Sequence, residues 1–95
     1  MEQPDPIERA LHQLWPRTFR HGDRSMTIAC LIRTADWRTL TAPWWRGKEV
    51  CIIGADVDGN FFIRHCDGSV RHWDHRLQAD TIVAPSVKEF VSRIE

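Results

Sequence analysis

The chain has 95 residues, with 13 basic and 13 acidic side chains and no net charge. This is one small domain, without the local cationic excess through which proteins bind nucleic acid or an anionic membrane. Three cysteines, an odd number with no C-x-x-C spacing, argue against a disulfide framework and for reduced thiols in a cytoplasm; no apolar leader or bilayer-length run is visible.

Ile7, Leu11, Leu14 and Trp15 in "PIERALHQLWP" follow helical spacing, which predicts a short amphipathic helix over residues 6–15. Asp5 is placed as its N-cap, Pro6 as its first residue, and Pro16 ends it. "SMTIACLIRTADW" (25–37) mixes β-branched and apolar residues and predicts a strand around 26–34, and the Pro- and Gly-containing stretch 38–48 reads as a loop. "EVCIIGAD" (49–56) has the continuous apolar run, Val50 to Ile53, of a strand covered on both faces.

Asp58-Gly59-Asn60 and Asp67-Gly68 then punctuate two more extended runs, 60–66 and 69–74, giving a three-stranded antiparallel meander. A two-residue turn at Asp67-Gly68 sets Phe62 opposite Trp73 and Arg64 opposite Arg71; it puts His65 and His72 on one face and Cys66 and His75 on the other. At the end of the chain, Ser86 and Glu89 form the S-x-x-E capping box, and Val87, Phe90, Val91 and Ile94 mark an amphipathic helix over 86–94. The expected fold class is α+β: an antiparallel meander packed by a short N-terminal helix and a C-terminal helix, in a single domain over 1–95.

The polar run "GADVDGNFFIRHCDGSVRHWDHR" (54–76) invites chemical readings. His65, Cys66, His72 and His75 have zinc-ligand chemistry, but the derived hairpin divides them between two faces. Asp56, Asp58 and Asn60 begin like a calcium loop, yet Phe61 and Asp67 stand where that loop needs Gly and Glu. Ser69, His72 and Asp74 lack a nucleophile elbow and an oxyanion loop. No catalytic residue, metal or cofactor is therefore assigned. "PWWRG" (43–47) presents two adjacent tryptophans beside an arginine, the residue types that anchor protein interfaces; the plainer alternative packs them on the sheet edge and loop.

Taken end to end, "IIGADVDGNFFIRHCDGSVRHWDHR" and "ADTIVAPSVKEFVSRI" resemble the SUKH superfamily, which includes the fungal cell-wall assembly regulator and many bacterial immunity proteins. Asp58, Gly59, Asn60, Asp67, Gly68, Trp73, Asp74, His75, Ser86, Glu89 and Phe90 carry the likeness, which spans residues 49–94. The first half departs from the family's usual longer helices and Leu-Pro signature, offering one short helix and Trp15-Pro16. The resemblance implies a cytoplasmic, non-enzymatic domain that binds a protein partner, a cognate toxin of the nuclease or deaminase class. It implies neither a nucleic-acid nor a membrane partner. Trp44, Trp45, Arg46, Asp56 and Asp58 are the expected contact residues, with Asp74 and Asp80 adding negative charge toward a basic toxin. A regulatory interaction domain with no toxin, and a small metal- or thiol-dependent enzyme, are the alternatives.

Overall fold

The computed structural model describes residues 5–40 and 49–95. Among them the chain runs α1 (Pro6–Leu11), β1 (Arg17–His21), β2 (Arg24–Leu31), a 3-10 turn (Thr34–Asp36), β3 (Cys51–Asp56), β4 (Phe61–Arg64), β5 (Val70–Asp74), β6 (Ala79–Ala84) and α2 (Val87–Ser92). The strands make one antiparallel six-stranded sheet in sequential order, with a short helix at either end of the chain, so the expected α+β meander is present and larger than foreseen.

Both helices begin where their capping residues stand. The Asp5 side chain accepts the Ile7 amide at 2.9 Å, and Ser86 Oγ accepts the Glu89 amide at 3.1 Å. Each is shorter than its periodicity suggested. α1 stops at Leu11, and Leu14, counted in the apolar stripe, is 89% exposed. α2 stops at Ser92, because Ile94 leaves the helix to bridge Phe19 on β1, and the Glu95 amide donates to the Thr18 carbonyl at 2.8 Å. The chain's last residues thus pair with the edge of the sheet's first strand.

β1 and β6 had no counterpart in the sequence reading. β1 joins β2 through a two-residue turn, Gly22-Asp23, with Gly22 at φ 63°, as a type II′ hairpin turn requires. The strand predicted around 26–34 ends at Leu31, after which the chain turns through Thr34–Asp36 and returns to the sheet, Leu40 N donating to Val50 O at 2.7 Å.

The register of the β4–β5 hairpin differs by one residue from the two-residue turn expected. Phe62 stands opposite His72 and Arg64 opposite Val70. The loop has three residues, Cys66-Asp67-Gly68, closed by His65 N to Ser69 O at 3.0 Å and Gly68 N to His65 O at 2.9 Å, with Gly68 at φ 89°. That is a type I turn followed by a left-handed glycine, which adds one residue to the loop. The slip changes faces as well: His65 now lies on the face of Ile63, and His72 on the face of Phe62.

The helices cover the Phe62 face. Phe19, Phe62 and Phe90 form its centre, with ring centroids 5.0 Å apart for Phe19–Phe90, 5.1 Å for Phe62–Phe90 and 6.0 Å for Phe19–Phe62. Ile7 and Ala10 of α1, Ile28, Ile53, Val70 and Val83 complete that core. On the other face, Val50 and Ile63 are buried with Leu40, Ile52 and Trp73 against them. β3 therefore feeds both faces, as its continuous apolar run suggests. Bulges between Ile28 and Cys30, Ile52 and Gly54, and Val70 and Arg71 curl the sheet around the larger core.

Candidate functional site

The polar run folds into two staples, one at each end of the central strands. The first is built on the β3–β4 turn. Like its neighbour, this turn has three loop residues, Val57-Asp58-Gly59, closed by Asp56 N to Asn60 O at 2.9 Å, with Gly59 at φ 87°. The tight loop folds two backbone amides back over Asp56, whose Oδ1 accepts Asp58 N and Asn60 N, both at 2.9 Å. Its Oδ2 lies 2.8 Å from His72 Nε2, the donor, and 3.4 Å from the amide nitrogen of Asn60.

Asn60 carries the network onward. Its Oδ1 accepts the His75 backbone amide at 3.2 Å and His75 Nδ1 at 2.6 Å. These contacts assign both rotors: the Asn60 oxygen faces His75, its nitrogen faces the carboxylate, and His75 bears a proton on Nδ1. Three strand ends are tied together: the end of β3, the start of β4, and the end of β5 with the loop after it.

Asp56 is 6% exposed, and its electrostatics follow from its donors. Burial pushes its pKa up; hydrogen bonds from His72, the Asn60 and Asp58 amides and the Asn60 side chain outweigh that and hold it below the usual carboxylate value. The His72 ring packs at 5.2 Å from Phe62, so one side of the network rests on the aromatic core.

The second staple occupies the opposite face and the opposite end. Arg71 Nη1 and His65 Nε2 both approach Asp80 Oδ2, at 3.2 Å and 3.3 Å, and Arg71 Nη2 lies 3.8 Å from Asp67 Oδ2. Asp67 Oδ1 accepts Ser69 Oγ at 2.7 Å and the Ser69 amide at 2.9 Å, and these two bonds hold its pKa low. His65 is pushed below its ordinary pKa by burial and by the Arg71 charge, against the opposing pull of Asp80 and Asp67. At neutral pH the His65–Asp80 contact is therefore between a neutral imidazole and a carboxylate.

The structure separates the residues that sequence reasoning grouped as ligands. His72 and His75 join the first staple, His65 the second, and Cys66 is exposed in the loop between β4 and β5. The expected pairing of His65 with His72 on one face is corrected by the one-residue register change. Burial raises Cys51 above the ordinary thiol pKa despite the nearby Arg64, the opposite of the shift that activates a thiol.

Among the expected contact residues, Trp44, Trp45 and Arg46 lie outside the described residues. Asp56 is interior, at 6% exposed, and both of its oxygens accept within the fold. Asp74 accepts the Arg76 and Leu77 amides, and Asp80 is held by Arg71. Asp58 is the exposed acid of the β3–β4 tip, and among the described residues its carboxylate accepts no hydrogen bond.

Two apolar residues missed in the sequence share that end of the sheet. Val57, 56% exposed, sits at the β3–β4 tip, and Leu77, 75% exposed, sits in the loop from β5 to β6. The Asn60–His75 bonds hold the two loops together. Asn60, directly after the Asp-Gly pair, stands at a readable place, but its partner lies 15 residues further on and nothing local announces it. No protein-family model, curated protein or solved structure matches the chain.

Proposed function

We propose that this chain is a protein-binding domain that works without catalysis, as a SUKH-like immunity protein that grips and neutralises a basic toxin of the nuclease or deaminase class. The observation that carries the reading is the saturation of the first staple. Asp56, the most enclosed acid of the polar run, has its oxygens engaged by His72, Asn60 and two backbone amides, and so serves rigidity. What that end of the sheet offers outward is a stiff tip with Val57 and Asp58 beside a second loop carrying Leu77. An apolar anchor flanked by a free carboxylate suits recognition of a basic protein: the apolar group gives affinity, and the charge steers the encounter.

The test takes the protein encoded by the gene next to this chain's own, screened for nuclease and deaminase activity; a neighbour with neither activity counts against the toxin reading. The purified chain is titrated against that protein's activity, with inhibition complete at one chain per toxin as the expected result. Asp58→Lys should weaken inhibition at least tenfold, about 1.4 kcal/mol, and leave the melting temperature within a degree or two of the parent. Full inhibition by Asp58→Lys moves the contact elsewhere. Absence of inhibition by the parent chain ends the toxin reading.

A further inference from the structure

Two hairpin turns of one geometry carry the same dipeptide, Asp58-Gly59 and Asp67-Gly68, and differ in what restrains the aspartate. In both, glycine closes a three-residue loop at positive φ, 87° and 89°. Asp67 is fastened by its neighbours, although its side chain remains 59% exposed. Its Oδ1 accepts the Ser69 amide at 2.9 Å and Ser69 Oγ at 2.7 Å, Arg71 lies 3.8 Å from its Oδ2, and the Gly68 amide donates to His65 O at 2.9 Å. Asp58 is exposed, its carboxylate accepts no hydrogen bond among the described residues, and the Gly59 amide reaches Asp56 O only at 3.4 Å.

An Asp-Gly pair carries its own reactive chemistry, because the glycine nitrogen can attack the preceding side-chain carboxyl carbon and no Cβ obstructs it. We propose that Asp58-Gly59 is a site of spontaneous backbone isomerisation to isoaspartate, and that Asp67-Gly68 is its protected counterpart. The Gly59 nitrogen forms a bond to Asp58 Cγ; the carboxyl hydroxyl leaves as water, taking up the amide proton, and a five-membered succinimide results. Water then adds to one of the two ring carbonyls. Addition at the main-chain carbonyl breaks its bond to the Gly59 nitrogen and leaves the backbone running through Cβ and Cγ. No oxidation or change of net mass accompanies the step.

The protected turn resists at both reactants. Its carboxylate must leave Ser69 and take up a proton, which those hydrogen bonds oppose by keeping its pKa low, and its amide must leave His65. Isomerisation at Asp58 has a structural cost for the first staple. It inserts one carbon between Asp58 and Gly59, within the loop that delivers the Asp58 and Asn60 amides to Asp56 Oδ1. The aged chain therefore loses the fit of that loop, and with it the anchoring of His75 through Asn60.

The test ages the full chain in warm, mildly acidic buffer and maps isoaspartate by peptide mass spectrometry with electron-transfer fragmentation. Isoaspartate should form at residue 58 at least about tenfold faster than at residue 67, the ratio expected when one charge-assisted hydrogen bond must first break. In denaturant the two sites should react at similar rates, and Ser69→Ala should raise the rate at 67 several-fold while leaving 58 unchanged. Asp58→Glu, whose longer side chain disfavours ring closure, should keep the melting temperature constant on ageing while the parent's falls. Equal rates at the two sites in the folded chain overturn the proposal, as does a ratio that persists unchanged in denaturant.

Discussion

Replacing Asp56 by Asn keeps the shape of the side chain and removes the charge on which four donors converge. One amide group must then face His72 or the backbone donors with its own N–H, so Asp56→Asn should cost about 2 kcal/mol or more in denaturant unfolding. The pH dependence has a definite sign. The folded carboxyl binds its proton less tightly than the unfolded one, so its contribution is present above the unfolded value near 3.8 and is lost as pH falls through the lower folded value. Acid titrations of parent and Asp56→Asn should converge at the acid end. His65 behaves differently: its folded pKa lies below the ordinary 6.5, so the unfolded chain takes up protons first and stability drops as pH falls below 6.5. His65→Gln should flatten that part of the parent's stability curve. Gly54 is constrained by approach: a Cβ there would stand 2.9 Å from the Cys30 carbonyl oxygen and 2.9 Å from a Leu31 methyl, so Gly54→Ala should destabilise by about 1–3 kcal/mol.

At the scale of elements, α2 carries half of a capping box. Ser86 holds the Glu89 amide, while Glu89 pairs with Arg93 at 3.8 Å. Ser86→Ala should therefore cost about 1 kcal/mol and Glu89→Ala only a few tenths, measured by chemical denaturation. The helix starts were legible because a cap is a local event, with its donor two or three residues away. The end of α2 was not, since contacts from distant parts of the chain draw Ile94 onto β1. β6 was hidden for a related reason. The turn before it, "HRLQ", contains neither Gly nor Pro; the Asp74 side chain holds the Arg76 and Leu77 amides, and Gln78 itself takes φ 51°. β1 offered Phe19 as its sole large apolar residue among polar neighbours, although Gly22-Asp23 was a readable turn. In the candidate site, the Asp-Gly turns and the Asn after the first were visible. The role of Asn60 in joining separate loops was not, because its partner, His75, lies 15 residues further on, and the register slip at the second turn depended on a loop of three residues where two were expected.

Across the whole molecule, every strand pairs with its neighbour in sequence, through tight hairpins except between β2 and β3, which residues 32–50 connect. Contacts of another kind join the two ends of the described chain: α1 and Phe19 pack on α2, and beyond them the tail lies on β1, where Ile94 bridges Phe19 and Glu95 binds Thr18. The consequence is kinetic. Neighbouring hairpins close short loops and can form early, whereas the tail must wait for a search over nearly the full chain, whose entropic cost is compensated only after the sheet exists. A contact made after the rate-limiting barrier leaves the folding rate alone and slows escape from the native state. Removing Ile94 and Glu95 should leave the refolding limb of a chevron plot in place and raise the unfolding limb, so the tail acts as a latch that sets how long the native state lasts.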